Sequence, residues 1–344
     1  MIVKKDKVEP KYENQFIYNL PMYLNLPLIV ILVLVTVFYL SSSPSIELAN
    51  WLNNILGVNL LNTKDSLHPI DSISLIALTS LFIGIMGTVP GHELVHRINN
   101  KFDLFMGNWL LATSWDCAFA VEHVHGHHKN VGLESDPATA KRGENLYLFI
   151  FKAIIKEQKD AWAIESKRLK RKNINVLNLK NRMLTGYARS GLISLLSYFI
   201  GGLSGLLVFL LCAFIAKCLL EVINYTEHYG LVRAPGQAVK PHHSWNTNSA
   251  ISSMYLYNVT RHSSHHEKSY LQYWKLKSYP DAPTMPQGYL SMLYLAIFLP
   301  WLYHRVMAPR LIHWDNNYAS DDEKKISYLH NQQSNLALLK TTNR

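Results

Sequence analysis

Four short clusters contain ten of the sixteen histidines, and nine of these ten are candidate metal ligands by their spacing. Histidines four residues apart on a helix lie on the same face, one turn apart. His92 with His96, and likewise His123 with His127, can therefore each offer two nitrogens to a single centre. The clusters lie in the segments GHELVH, EHVHGHH, NYTEHYG and RHSSHH, and the nine candidates are His92, His96, His123, His127, His128, His228, His262, His265 and His266.

The number and type of these side chains indicate more than one metal ion. His262 and His265 are spaced three residues apart, which also places them on one helix face. Imidazole is a good ligand for zinc, copper, iron and nickel. Nine imidazoles are too many for one tetrahedral zinc and suffice for two ions with about four or five ligands each. The sequence therefore predicts a pair of redox metals.

A carboxylate adjoins a histidine in each of the four clusters. An acid that accepts the second ring N–H of a ligating histidine fixes the orientation of the ring and raises its basicity. Adjacent side chains on a helix point about 100° apart, so solvated positions are the alternative. The candidates are Glu93, Glu122, Glu227 and Glu267.

Long apolar segments must position these clusters. Residues 23–40 and 72–90 carry no charged side chain, and each is close to the roughly 20 residues that cross a bilayer core. Residues 190–220 are too long for one upright span, but form two if the GGLSG sequence at 201–205 is a tight turn. We expect one all-α domain over residues 1–344, an integral membrane bundle with two hairpins. The expected transmembrane helices are at about 20–40, 70–90, 186–201 and 205–223.

Clusters that share a metal centre must lie on the same side of the membrane, because imidazole–metal bonds are only about 2 Å long. This requirement makes residues 104–121 a shallow or re-entrant helix, which the polar side chains of that segment favour. Residues 289–307 contain a proline, a histidine and an arginine. We interpret them as a membrane-associated or core helix, with a fifth span as the alternative.

The net charge of +10 is unevenly distributed. Between Lys129 and Arg182 there are thirteen lysines or arginines against six acids. With the basic residues Lys4, Lys5, Lys7 and Lys11, this favours a cytoplasmic position for a helical cap that holds the metal site. The KRLKRK run has no interleaved aromatic residues, which argues against nucleic acid and favours anionic lipid or an acidic redox partner.

The three cysteines include no CxxC pair, so the chain carries no sign of a disulfide framework or of a fused iron–sulfur module. Electrons for a redox metal centre must then come from another protein. The first apolar run is too long for a secretory signal peptide and is expected to remain as an anchor.

The motifs HELVH, EHVHGHH with ESDPATAKRGE, NYTEHYGLVR, KPHHSWN and RHSSHH occur in an order that resembles the membrane-bound alkane monooxygenase family. Xylene monooxygenase is a close relative in the wider group of membrane desaturases and hydroxylases. The match runs from about Tyr12 to Ala319, and NYTEHYGL distinguishes it from acyl-lipid desaturases. Members usually carry a further transmembrane hairpin before the segment that matches Tyr12 to Leu40.

The resemblance implies a non-haem di-iron enzyme of the cytoplasmic membrane. It would insert one atom of O2 into a terminal or benzylic methyl C–H bond of a hydrophobic substrate. The nine clustered histidines would be the iron ligands, with the active site on the cytoplasmic side. A rubredoxin or ferredoxin-type donor with an NAD(P)H reductase would supply the electrons.

Two other functions remain open at this stage. A fatty-acyl desaturase or hydroxylase would use the same metals, and a histidine-rich metal transporter or sensor would use histidines along a transmembrane path. His242 and His243 in KPHHSWN could orient ligands or carry protons. We expect His125 to face away from the metal, and surface or interface positions for the remaining histidines, His68, His304, His313 and His330.

Overall fold

The computed structural model describes residues 15–341, so the basic residues Lys4, Lys5, Lys7 and Lys11 lie outside the described part. Within residues 15–341 the secondary structure is helical, with one isolated bridge between Asn246 and Thr284 and no strand. The helices are α1 Gln15–Leu40, α2 Ile46–Leu56, α3 Leu60–Asp65, α4 Pro69–Phe82, α5 Val89–Val95, α6 Lys101–Ala112, α7 Phe119–Glu122, α8 His128–Asn130, α9 Leu146–Arg171, α10 Arg182–His228, α11 Ala250–Tyr255, α12 His262–Glu267, α13 Tyr289–Phe298, α14 Pro300–Asn317, α15 Asp321–Gln333 and α16 Ala337–Thr341. Two π-helical turns, Ile83–Thr88 and His123–His127, and two 3-10 turns, Pro241–His243 and Tyr273–Lys275, complete the regular structure.

The described chain forms two compact units. Residues 15–120 and 169–219 make up one, which we call the apolar unit. Residues 121–168 and 220–341 make up the other, which we call the histidine-rich unit.

Three helical stretches are long and apolar enough to cross a membrane, namely Gln15–Leu40, Pro69–Val95 and Arg182–His228. The second is continuous because the π-helical turn Ile83–Thr88 joins α4 to α5. A span of 26 or 27 residues exceeds the roughly 20 that a bilayer core requires. The protein is therefore a membrane protein, as its sequence predicts.

Helix α10 is broken at Gly202, whose φ of 61° and ψ of −155° are not helical. Only glycine adopts this backbone conformation without strain. The turn predicted at residues 201–205 is confirmed as this break, which divides the 47-residue helix into two arms. Each arm is about as long as one crossing requires.

Helix α6 lies against α5 in the apolar unit, because two glycines permit a close approach. A Cβ at Gly91 would lie 3.0 Å from the Leu111 side chain, and one at Gly107 would lie 2.9 Å from Cβ of Leu94. Helix α6 has only 12 residues, fewer than a span requires. That residues 104–121 do not cross the membrane stays a prediction.

The histidine-rich unit is tied together by the buried side chain of Arg142. Its guanidinium donates to the Asp315 carboxylate at 2.7 Å and to the Asn331 side chain at 2.7 Å. It also donates to the carbonyl of Gly230 at 2.8 Å. These bonds hold α14 and α15 against the loop that follows α10. The segment predicted as one helix over 289–307 is divided at Leu299 between α13 and α14.

Candidate metal centre

Four histidines of the histidine-rich unit form a fully buried cluster. Their ligand nitrogens all lie within 4.8 Å of one another. Nε2 of His262 lies 3.1 Å from Nε2 of His228 and 2.9 Å from Nε2 of His266. The members are His127, His228, His262 and His266, which we call the four-histidine cluster.

The groups behind two of these rings determine which nitrogen faces the cluster. Nδ1 of His127 lies 3.0 Å from both carboxylate oxygens of Asp136, and Nδ1 of His228 lies 3.2 Å from the carbonyl of His243. Both partners are acceptors, so each Nδ1 carries the proton and each Nε2 keeps its lone pair. Nε2 of His127 is buried and has no hydrogen-bond partner. Buried lone pairs converging on one point fit a metal ion with bonds of about 2 Å.

A second group in the same unit consists of His123, His128 and His265. Nε2 of His128 lies 3.0 Å from Nε2 of His123 and 3.1 Å from Nε2 of His265. The ligand atoms of this group also lie within 4.8 Å of one another. The unit therefore offers imidazole nitrogens for two ions.

The π-helical turn His123–His127 decides which histidine joins which group. The amide of His128 donates to the carbonyl of His123, a bond that spans five residues. The wider turn brings His128 beneath His123, and His127 joins the other group. The spacing predicted that His123 and His127 contribute to a single centre. The structure places them in different groups of histidines, because the local helix is π rather than α.

The RHSSHH segment is also shared between the two groups. His262 joins the four-histidine cluster together with His266, one turn later on α12. His265 belongs to the group of His123 and His128. His262 therefore shares its group with the i,i+4 residue His266 and not with the i,i+3 residue His265.

His92 and His96 belong to the apolar unit. They lie at the end of the stretch Pro69–Val95, with ring centroids 5.0 Å apart. The ring of His92 also packs edge-on against Phe119 at 5.8 Å. The pair is thus arranged as the helical spacing predicts.

The charge on Asp136 changes the protonation of His127. Burial lowers the pKa of His127, but the adjacent Asp136 carboxylate outweighs this effect and the pKa is raised. For Asp136, burial raises the pKa, and the charge and hydrogen bond of His127 outweigh it, so the pKa is lowered. The lowered pKa keeps the Asp136 carboxylate ionised behind the ring, and an ionised partner makes the imidazole a stronger donor to a metal.

The four candidate carboxylates occupy different environments. Glu227 is buried, with Oε2 3.2 Å from Nε2 of His262, so it points to the metal-facing side of the rings and not to their backs. Glu122 is buried and its carboxylate occupies the space that a Cβ would need at Gly126. The other two have different partners, since Glu93 pairs with Arg97 at 2.6 Å and the exposed Glu267 accepts from the Tyr279 hydroxyl.

Sequence reasoning missed Asp136 and Glu323. Asp136 lies in the ESDPATA segment, nine residues after His127. Its only signal was its position in a motif that follows the densest histidine cluster. Glu323 lies in a polar C-terminal segment and contacts Nε2 of His243 at 2.7 Å. No local pattern connects Glu323 with His243, because the two residues are 80 positions apart in the sequence.

The remaining histidines lie outside the four-histidine cluster and outside the group of His123, His128 and His265. His125, His68 and His313 are exposed. The Tyr229 hydroxyl contacts Nδ1 of His304. His330 lines a surface cavity of about 230 Å³.

Comparison with known proteins shows a family relationship. Residues 72–296 match the family model described as fatty acid desaturase. Alkane 1-monooxygenase 2 of Alcanivorax borkumensis is 36% identical over 66% of this chain and 60% of that protein. Alkane 1-monooxygenase 1 of the same organism is 32% identical over 90% of this chain and 72% of its own length. The xylene/toluene monooxygenase hydroxylase component XylM of Pseudomonas putida is 29% identical over 97% of this chain and 85% of its own length.

Helices of membrane-spanning length and buried polyhistidine groups define the class of membrane desaturases and hydroxylases. Within this class, the chain belongs to the membrane-bound alkane monooxygenase family. It spans 60 to 62% of the length of two of the alkane 1-monooxygenases that it matches.

Proposed function

We propose that this protein is a non-haem di-iron monooxygenase that hydroxylates the terminal methyl group of a hydrocarbon. One atom of O2 would enter the C–H bond to give an alcohol. The other would leave as water, with two electrons and two protons consumed. The observation that carries the proposal is the convergence of buried Nε2 atoms in two groups, in a relative of alkane 1-monooxygenases.

The four-histidine cluster would hold one iron. The second would be held by His123, His128 and His265, with His92 and His96 as its further ligands. Iron would supply the reductive activation of O2 that attack on an unactivated C–H bond requires. Asp136 and the His243 carbonyl would orient the rings of His127 and His228, so that their ligand nitrogens face the first iron.

The proposed site lies at the cytoplasmic face of the inner membrane. Four crossings, with α10 folded into a hairpin at Gly202, would bring His92, His96 and the end of α10 to that face. The substrate would enter sideways from the lipid, through an apolar channel between helices near residues 23–40, 72–90 and 205–223. A hydrocarbon partitions into a bilayer, so this route needs no transfer through water.

Electrons would come from a rubredoxin or ferredoxin-type donor with an NAD(P)H reductase. A cavity of the histidine-rich unit supports this proposal. Lys141, Lys152 and Lys156 line it together with Glu134 and with Asp136, the partner of His127, so the lining carries a small net positive charge. An acidic donor would be attracted to a positively charged surface.

The likeness to XylM, which covers 85% of that protein, favours an alkylaromatic methyl group as the second candidate substrate. A fatty-acyl desaturase or hydroxylase is a weaker alternative, which the family model leaves open. Both alternatives would use the same metal ligands, so only the product distinguishes them.

Turnover of a substrate panel tests the proposal. Membranes containing the protein receive donor, reductase, NADH and either an n-alkane, xylene or an acyl substrate, and products are identified by mass spectrometry. A primary alcohol from the alkane is expected, while His228→Ala should insert normally and form none. A double-bond product without alcohol would refute the assignment.

The metal content separates the enzyme from a histidine-rich transporter or sensor. We expect about two iron ions per chain in protein purified under anaerobic conditions. One tightly bound zinc with no iron would instead support transport or sensing.

A further inference from the structure

A third group of side chains, His242, His243 and Glu323, lies in the histidine-rich unit next to the four-histidine cluster. Nε2 of His243 lies 2.7 Å from Oε1 of Glu323, and Nε2 of His242 lies 3.6 Å from Oε2. His243 and Glu323 are both fully buried. This arrangement has two possible functions, namely a third metal site or a support for the first cluster.

The hydrogen bonds of His243 argue against a metal site. Its Nδ1 accepts a bond from the backbone N–H of Lys240 at 3.0 Å. In a neutral imidazole the other nitrogen then carries the proton, so Nε2 donates to Glu323 and has no lone pair for a metal.

The carboxylate of Glu323 is itself held in place. Oε2 accepts from the backbone N–H of Ser320 at 2.8 Å and from its hydroxyl at 2.9 Å. Ser320 in turn caps the first turn of α15. Burial would raise the pKa of Glu323, but its contacts with the two histidines and its bonds from Ser320 hold the pKa well below its usual range. Glu323 is therefore an ionised and rigid anchor for His243.

The backbone of the same loop orients a proposed metal ligand. The carbonyl of His243 accepts Nδ1–H of His228 at 3.2 Å, and both rings are fully buried. The neighbouring carbonyl of His242 accepts from the indole N–H of Trp314 at 2.7 Å. Two residues of the C-terminal helices thus fix the loop whose carbonyl selects the tautomer of His228.

We propose that Glu323 is a positioning residue for metal binding, which acts through His243 on His228. The inference rests on the proposed function, because it takes His228 as a metal ligand. Glu323 holds the His243 ring, the ring fixes its own backbone carbonyl, and the carbonyl keeps Nε2 of His228 directed into the four-histidine cluster. The C-terminal helix α15 therefore contributes to metal affinity without supplying a ligand.

Metal affinity measured by chelator competition on the full-length protein in detergent tests this inference. Removal of the groups that orient metal ligands typically weakens affinity 10- to 100-fold. Glu323→Ala should show a loss of about this size, and Glu323→Gln a smaller one, because the amide oxygen still accepts from His243. Ser327→Ala is the matched control, since Ser327 is buried on the same helix and contacts Arg142. It should keep the wild-type affinity.

A spectroscopic signature separates positioning from general loosening of the fold. In cobalt-substituted protein, the ligand-field bands report the geometry around the ion, and they should change in Glu323→Ala but not in Ser327→Ala. If Glu323→Ala does not fold, Trp314→Phe provides the test, because it removes the bond to the His242 carbonyl and keeps most of the ring volume. Trp314→Phe should also weaken metal binding.

Three results would overturn the inference. One is that Glu323→Ala and Ser327→Ala bind metal equally well. Another, should Glu323→Ala not fold, is wild-type affinity in Trp314→Phe. The third is that His242→Ala loses one metal equivalent, which would identify the third group as a metal site. Failure of the wild-type protein to bind two ions would instead contradict the proposed function.

Discussion

The carboxylate of Asp136 lies behind the ring of His127, with both oxygens 3.0 Å from Nδ1. The Thr139 hydroxyl donates to the same carboxylate at 2.6 Å, and the amide of Ala138 lies 3.4 Å from it. A loop of four residues therefore holds a buried charge that directs one nitrogen of the four-histidine cluster. This relationship leads to the first prediction.

Asp136→Ala should weaken metal binding by about 10- to 100-fold, because His127 loses the acceptor that fixes its tautomer. Asp136→Asn should lose less, since its amide oxygen can still accept from Nδ1–H. Thr139→Val keeps the carboxylate and serves as the control with the smallest effect. Chelator competition provides the measurement, and unchanged affinity in Asp136→Ala would contradict the role of this contact.

Gly126→Ala should disturb the π-helical turn, because the new Cβ would collide with the Glu122 carboxylate and meet Ile164 at 3.2 Å. Overpacking of this kind costs about 1–3 kcal/mol. The midpoint of thermal unfolding should fall, and metal should be lost. The double variant with Glu122→Ala should recover part of the stability. If the two substitutions are simply additive, the proposed collision is wrong.

Asp116→Ala should strongly destabilise the apolar unit. The Asp116 carboxylate pairs with the Lys217 ammonium at 2.8 Å, and both side chains are at most 10% exposed. Removing one partner of a buried ion pair lowers the free energy of unfolding by about 3–5 kcal/mol, because the other charge stays buried without a partner. Replacing both partners by apolar residues is often neutral. Unfolding in detergent should therefore show a large loss for Asp116→Ala and a much smaller one for Asp116→Leu combined with Lys217→Met. Similar losses in both proteins would argue against an electrostatic cause.

Gly202→Ala should cost about 1–3 kcal/mol even though there is open space around Gly202, because its backbone conformation strains any other residue. Gly191→Ala is the matched control on the same helix, since Gly191 is helical and also has open space around it. Alanine there should be neutral or stabilise by about 0.5–1 kcal/mol. The unfolding midpoint should fall in Gly202→Ala and stay constant or rise in Gly191→Ala, and equal shifts would contradict the argument from φ.

Stability should fall as the pH is lowered below about 6.5, the usual pKa of histidine. Burial lowers the pKa of His330, and the positive charges of Arg142 and Lys141 lower it further. The unfolded chain then takes up a proton at a higher pH than the folded chain, so the stability present above this range is lost on acidification. Thermal unfolding at pH 7.5 and 5.5 measures the loss. The loss of stability between these two pH values should be smaller in His330→Gln than in the wild-type protein. In the exposed control His313→Gln the loss should equal that of the wild-type protein.

Much of the architecture could be predicted from the sequence. The uncharged runs and the break at Gly202 are local properties, because hydrocarbon length and backbone strain act on consecutive residues. The nine clustered histidines and the family resemblance are likewise readable from residue type and spacing. The helical arrangement of His92 and His96 was predicted for the same reason.

The distribution of the histidines between two groups was decided by tertiary structure. The π-helical turn His123–His127 packs against the distant residue Ile164 at Gly126, and helix propensity does not encode such a contact. The contacts of Asp136 with His127 and of Glu323 with His243 join residues by burial and charge in space. The sequence by itself determined that these histidines could bind metal, whereas only the folded chain decided which of them face each other and which groups hold them in place.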